Sequence, residues 1–218
     1  MKKIAFGMAV LILYIITLPL HAQEEERDVV EVGFFGGLGI PSGGLSDWKT
    51  HHRARGAKTG WDIGLEAGYF LTPRMVIGVN FIYTQFSIDA AGDQTNHNHR
   101  LYNPNVYVKY LFEGESNWIP YLKGHVGVEN PKFSTFVTTS SANKYRELAY
   151  DPALAFGLGA GLFYYTADYS GVFLEINYHH AFTSDTEGRY DTKPYKFEED
   201  VGVIDIHAGV RILIGSGG

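Results

Sequence analysis

Cysteine is absent from the 218 residues. No disulfide staples this chain, and no lipid is attached through a thiol. A basic excess is missing too. Lysine and arginine number 18 against 24 acids, a formal net charge of −6, which removes nucleic acid as an expected partner. Beyond the first twenty residues no apolar run approaches a membrane-crossing helix, which needs roughly 20 consecutive apolar residues. What the chain has in quantity is glycine (26), tyrosine (15) and phenylalanine (14).

The first residues read as a leader. Met1, Lys2 and Lys3 precede an apolar stretch from Ile4 to about Leu18, then Pro19-Leu20-His21-Ala22 and the polar Gln23-Glu24-Glu25-Glu26. A basic start, a short apolar core and a small residue before a polar one define a signal peptide. Cleavage is expected after Ala22, leaving residues 23–218 as one domain by length. Loss of Lys2 and Lys3, with no acid in the leader, moves the charge from −6 to −8.

From residue 28 onward apolar residues recur at every second position. Trp61, Ile63, Leu65, Ala67, Tyr69 and Leu71 alternate with Asp62, Gly64, Glu66 and Gly68. Period two is the signature of a strand with one apolar and one polar face. Eight such segments are expected: about 30–40, ended by Pro41-Ser42-Gly43-Gly44; 61–71; 75–88; 100–112, weakened early by Pro104; 118–129; 154–164; 172–180; and 204–214. Tight connections at Thr72-Pro73-Arg74, 113–117 and 166–171 alternate with long polar loops at about 41–60, 89–99, 130–150 and 182–200. An even strand number with short turns at one end and long loops at the other is the pattern of a membrane barrel: apolar outside, polar inside, short periplasmic turns, long extracellular loops.

The polar faces assign nine charged residues to the lumen: Glu31, Asp62, Glu66, Lys109, Lys123, Glu129, Glu175, Asp205 and Arg211. A barrel of about eight strands is barely wide enough to be filled by side chains, so these charges are expected to pair into a plug. Outward aromatics fall near strand ends, as a girdle at each membrane surface would: Trp61, Tyr69, Tyr83, Tyr102, Tyr110, Trp118, Tyr164 and Tyr178.

Three stretches carry a resemblance. They are Gly33-Phe34-Phe35-Gly36-Gly37 with Pro41-Ser42-Gly43, the segment Trp118-Ile119-Pro120-Tyr121-Leu122-Lys123-Gly124, and Phe156-Gly157-Leu158-Gly159-Ala160-Gly161. In order and spacing the chain resembles the small outer-membrane β-barrel family, the group of OmpX, OmpW and the barrel domain of OmpA. The resemblance implies an all-β, eight-stranded antiparallel up-and-down barrel in the outer membrane of a Gram-negative bacterium, in contact with the bilayer and lipopolysaccharide, monomeric and without cofactor. Many members end on an aromatic residue; this chain ends Ile214-Gly215-Ser216-Gly217-Gly218.

Four residue sets invite chemistry. The lumen charges serve either a rigid plug or a narrow ion path. His179 and His180 resemble the histidine of a lipid A deacylase on a barrel wall, but Ala181 and Phe182 follow and the next hydroxyl is Thr183. His51, His52, His97 and His99 are placed in the first two long loops, where mobile polar chain lacks the supporting contacts that fix metal ligands. Lys49, Arg53, Arg55 and Lys58 are placed in the first loop as contacts for lipopolysaccharide phosphates. Gly157, Gly159 and Gly161 mimic a phosphate loop, but no helix follows; their common parity marks lumen positions instead.

The expectation is therefore a non-enzymatic outer-membrane barrel with a plugged polar lumen and surface-interacting loops, no catalytic residues and no metal. A narrow pore, a lipid A-modifying enzyme and a soluble lipocalin-like carrier are the competing readings. The carrier requires apolar residues inside and polar ones outside.

Overall fold

The chain adopts a closed antiparallel barrel in a computed structural model that describes residues 29–47, 57–88, 98–112, 116–139, 142–149, 152–182, 186–190, 193–197 and 201–215. Its elements are β1 (Val29–Gly43), α1 (Gly44–Asp47), β2 (Ala57–Thr72), β3 (Met75–Ile88), β4 (Asn98–Leu111), β5 (Trp118–Thr139), β6 (Ala142–Ala149), β7 (Ala153–Ala167), β8 (Ser170–Phe182), β9 (Thr186–Tyr190), β10 (Lys193–Phe197) and β11 (Val201–Gly215). Eight of these form the wall in the order β4-β3-β2-β1-β11-β8-β7-β5, and β4 pairs with β5 to close it. Each wall strand lies beside its sequence neighbours, and β1 meets β11 from Val29↔Gly215 to Gly43↔Val201. The architecture is up-and-down. Closure removes the open edges that would otherwise pair with other chains.

Alternation decides which face is which. Leu158 is 73% exposed and Leu65 58%, whereas Arg211, Glu31 and Glu66 are at most 2% exposed. A side chain one position along a strand swaps wall exterior for lumen. The apolar face is therefore the outer one along every wall strand, a wall suited to hydrocarbon. This arrangement excludes the soluble-carrier reading, whose faces are reversed.

Several element boundaries differ from the sequence expectation. β1 does not stop at Pro41 but runs through Ser42 to Gly43. Pairing of β1 with β2 ends at Gly39↔Gly60, so beyond it β1 has only β11 as neighbour, and a proline is tolerated at such an edge. Gly43, at φ 62°, supplies the left-handed residue that turns the chain into α1.

The expected third loop is largely strand. β5 continues to Thr139 and folds back through β6, from Lys132↔Ala149 to Thr139↔Ala142. Pro131 lies within β5. It falls between the end of β5–β7 pairing at Glu129↔Ala153 and the start of β5–β6 pairing at Lys132, where no ladder hydrogen bond is required of it on that side. Pro104 sits within β4 for a related reason: no β4–β5 pairs form at Asn103 and Pro104, and the register resumes unshifted at Asn105↔Gly127. The expected fourth loop contains the β9–β10 hairpin. β2 begins at Ala57 rather than Trp61, and β4 at Asn98.

The aromatics occupy two levels. Near the long connections, Trp61 and Tyr83 have ring centroids 5.4 Å apart and Tyr83 and Tyr102 5.2 Å apart. Tyr178, His180, Phe156 and Phe182 continue that level around the wall. Near the tight turns lie Trp118 against Tyr164 (4.6 Å), Tyr110 against Phe112 (5.1 Å), and Tyr69, opposite Ile77.

Candidate functional site

Inward residues converge on the barrel axis, so the lumen is the one place where distant parts of the chain meet. Its contents are layered. At the turn end, Val76, Leu111 and Phe163 are buried, with Phe70, Ile119 and Tyr165 packed against them. At the loop end, Leu45 of α1 joins Ala57, Phe86, Leu101, Ala153, Ala155, Ala181, Val201 and Val203 in a second apolar cluster. Between these two layers lie all nine charged residues assigned to the lumen from sequence, each no more than 2% exposed.

The half nearer the turns is a knot of fixed charges. Arg211 donates to Glu66 Oε1 through Nε (2.9 Å) and Nη2 (2.6 Å). Lys123 donates to Glu66 Oε2 (3.0 Å) and to Glu175 Oε1 (2.9 Å). Lys109 pairs with Glu31 and lies 3.4 Å from Glu66 Oε1. The Tyr107 hydroxyl donates to Glu31 at 2.8 Å. Glu66 thus binds three cations from three other strands, a tie across the lumen rather than along its wall. Aromatic faces complete the cations' surroundings: the Arg211 guanidinium lies 4.4 Å from the Phe173 ring centre, and the Lys123 ammonium 5.0 Å from that of Tyr107.

Nearer the loops the charges change type. Asp62, Glu129 and Asp205 are buried there with His125, His179 and His207, and with no lysine or arginine among the described residues. His179 Nδ1 is 2.9 Å from Asp205 Oδ2 and its Nε2 3.3 Å from Glu129 Oε2. His207 Nε2 is 3.2 Å from Asp62 Oδ1, and its Nδ1 faces Asn177 (3.3 Å) and Glu175 (3.8 Å). Asn105 bonds Asn80 at 2.9 Å, and Asn103 reaches Glu129 at 3.4 Å.

Glycines on β7 make this filling fit. A Cβ at Gly157 would collide with the His125 ring, and one at Gly161 with the Tyr121 ring. These positions face the lumen and admit large side chains from neighbouring strands.

The remaining sequence assignments divide. His179 points into the lumen at 1% exposure, away from any lipid ester, while His180 faces outward against Tyr178 and Phe182; Thr183 lies outside the described residues. His99, expected in a loop, is on β4 and buried, because the strand starts two residues earlier than its pattern announces. Lys58, also expected in a loop, is an exposed residue of β2. Lys49, Arg53, Arg55, His51, His52 and His97 lie outside the described residues. Sequence reading missed the convergence of His207 with Asp62 and Asp205, whose ligand atoms all lie within 4.8 Å of one another. Residues 62 and 207 are 145 positions apart, and only barrel closure brings them together with 205.

Known proteins agree with this geometry. The family model for the outer membrane protein beta-barrel domain matches residues 8–213. Among solved structures the chain is similar to Neisserial surface protein A, at 17% identity and a TM-score of 0.53, over 84% of this chain and 96% of that one. It is similar to the outer membrane protein OprG of Pseudomonas aeruginosa, at 13% identity and a TM-score of 0.52, over 86% and 97%. It is also similar to the outer membrane protein AlkL, at 12% identity and a TM-score of 0.50, over 93% and 97%. At these identities the likeness is one of fold. None of the curated proteins matches the chain.

Proposed function

The chain belongs to the outer-membrane β-barrel family of Gram-negative bacteria, and from that premise we propose that it is a non-enzymatic barrel with a sealed lumen that acts at its outer rim. In this reading residues 1–22 are removed on export. One observation carries the seal: Glu66 ties Arg211, Lys123 and Lys109 across the axis, with an apolar layer above and another below. Water and ions crossing the barrel would have to displace paired charges, and breaking such buried pairs is costly. The test is conductance of the refolded protein in a planar lipid bilayer. Wild type is expected to give no discrete channel openings, while replacing Glu66, Lys109 and Lys123 together by alanine opens a path. Stepwise wild-type currents would install the narrow-pore reading instead.

The outer rim supports contact with an anionic lipid headgroup. Arg100 of β4 lies directly opposite Lys132 of β5, and both share the outward parity of Tyr102. Lys132 Nζ is 5.6 Å from the Tyr102 ring centre. The pair stands just beyond the loop-end aromatic level, where phosphates of a lipid leaflet would be. Lipopolysaccharide phosphates, which arginine binds through two parallel bonds, suit the position. Lys58, three residues before Trp61, adds a cation at the same end. In detergent titrations with lipid A, the double variant R100Q/K132Q is expected to lose roughly tenfold in affinity, the worth of one charge-assisted hydrogen bond. Equal affinity of variant and wild type would remove this contact.

A further inference from the structure

The loop-facing half of the lumen contains three carboxylates and no lysine or arginine among the described residues. Its polar atoms are also poorly satisfied. Oδ2 of Asp62 and Oδ1 of Asp205 have no hydrogen-bond partner among the described residues, and Oδ1 of Asp62 and Nε2 of His207 have their 3.2 Å contact with each other, although Asp62 is 2% exposed and the other two residues are fully buried. In the turn-facing half, Glu31, Glu66, Lys109, Lys123 and Arg211 all have side-chain partners. Buried polar atoms left without partners are costly, so a native lumen should supply something to meet them.

We propose that Asp62, Asp205 and His207 form a binding site for a divalent cation of the zinc type inside the barrel. Two carboxylate oxygens and an imidazole nitrogen are a ligand set that such ions accept. The spacing agrees. Nε2 of His207 and Oδ1 of Asp62 are 3.2 Å apart. Two atoms each about 2.0–2.1 Å from one tetrahedral ion lie roughly 3.3 Å from each other without pointing at each other. The third ligand atom, from Asp205, lies within 4.8 Å of both.

The surroundings hold these ligands in place. His179 Nδ1 holds Asp205 Oδ2 at 2.9 Å, while Oδ1 has no hydrogen-bond partner within the protein. On the far side of the His207 ring, Asn177 and Glu175 approach Nδ1 and fix the ring so that Nε2 faces the two aspartates. Polar partners behind metal ligands orient them in this way in known sites. A bound dication also offsets the three carboxylates of this half, as Lys109, Lys123 and Arg211 offset Glu31, Glu66 and Glu175 in the other.

The test uses the full barrel refolded from urea into detergent micelles with Zn2+ present, then desalted, with metal counted by inductively coupled plasma mass spectrometry. Folding of each variant is checked by the shift between heated and unheated protein on a gel. Wild type is expected to retain one Zn2+ per chain. D62N and H207Q, both folded, are expected to fall at least tenfold, while Y121F in the other half retains the full amount. Zn2+ at background in wild type overturns the proposal. So does retention by H207Q or D62N equal to that of wild type, since the ion would then be held elsewhere. Should H207Q fail to fold, D62N alone decides, because asparagine preserves the shape of the side chain it replaces.

Discussion

Two halves of one lumen solve the same problem with different materials. Each buries three carboxylates: Glu31, Glu66 and Glu175 toward the turns, Asp62, Glu129 and Asp205 toward the loops. The turn half opposes them with Lys109, Lys123 and Arg211 in direct ion pairs, Arg211 Nη2 lying 2.6 Å from Glu66 Oε1. The loop half opposes them with His125, His179 and His207. A guanidinium keeps its charge under all conditions and bonds a carboxylate through two nitrogens; an imidazole does neither reliably. The turn half is therefore built as a permanent brace. Among the described residues the loop half has no such fixed cation, which the proposed dication would supply.

The largest break in this comparison is expected from Glu66. It is the shared acceptor of Arg211, Lys123 and Lys109. E66Q leaves three buried cations facing two carboxylates, and loss of one partner from a buried pair costs about 3–5 kcal/mol. Urea titration of the detergent-folded barrel, followed by tryptophan fluorescence, measures it. Charge pairing rather than shape is the cause if removal of both members of another pair is tolerated. K123M/E175Q deletes a cation and an anion together, and its stability is expected to stay near that of wild type. A double variant as damaged as E66Q would mean that packing, not charge, holds this half.

Glycine positions sharpen the contrast at a smaller scale. A Cβ at Gly161 meets the Tyr121 ring, and one at Gly157 meets the His125 ring. Each also approaches a backbone oxygen of β8, Leu174 at 2.8 Å and Tyr178 at 2.6 Å, so ladder strain is similar. The rings differ. Tyr121 is wedged beside Arg211 (5.3 Å) and Lys109 (5.4 Å). His125 makes no hydrogen bond within the protein through either nitrogen. A wedged ring cannot yield, so G161A is expected to cost about 1–3 kcal/mol and G157A less, by the same urea titration. Equal costs would make the two halves equally rigid.

How much of this was legible in the sequence follows from the same physics. Period-two alternation gave the wall strands and the inward parity of all nine lumen charges, because a one-residue slip would have put Glu66 or Arg211 into hydrocarbon. The first strand was ended at Pro41, and the fifth at Glu129, two residues before Pro131, whereas both strands run on. Proline ends a strand only where its missing N–H faces a neighbour, and whether a neighbour is there depends on strands far away in sequence. β6, β9 and β10 were missed because an extension beyond the wall has no lipid face to impose alternation. The division of the lumen was not legible at all. Inward parity is a property of one strand, whereas the meeting of Asp62 with Asp205 and His207 is set by the stagger of the closed barrel.

The smallest expected effect is the most informative about the loop half. In EDTA, D62N removes a buried charge whose one close partner is His207, at 3.2 Å. No lysine or arginine is left unpaired by the change, His207 keeps Asn177 and Glu175 beside its other nitrogen, and one of three crowded carboxylates is neutralised. The unfolding free energy is expected to move by less than about 1 kcal/mol, in either direction. The same substitution type at Glu66 costs several times more because fixed cations are stranded there. Excess Zn2+ should then separate the two proteins. A ligand that binds only the folded barrel raises its stability with the logarithm of its concentration, so wild type gains and D62N does not. A D62N loss in EDTA matching that of E66Q would make Asp62 a brace like Glu66 and dissolve the distinction between the halves.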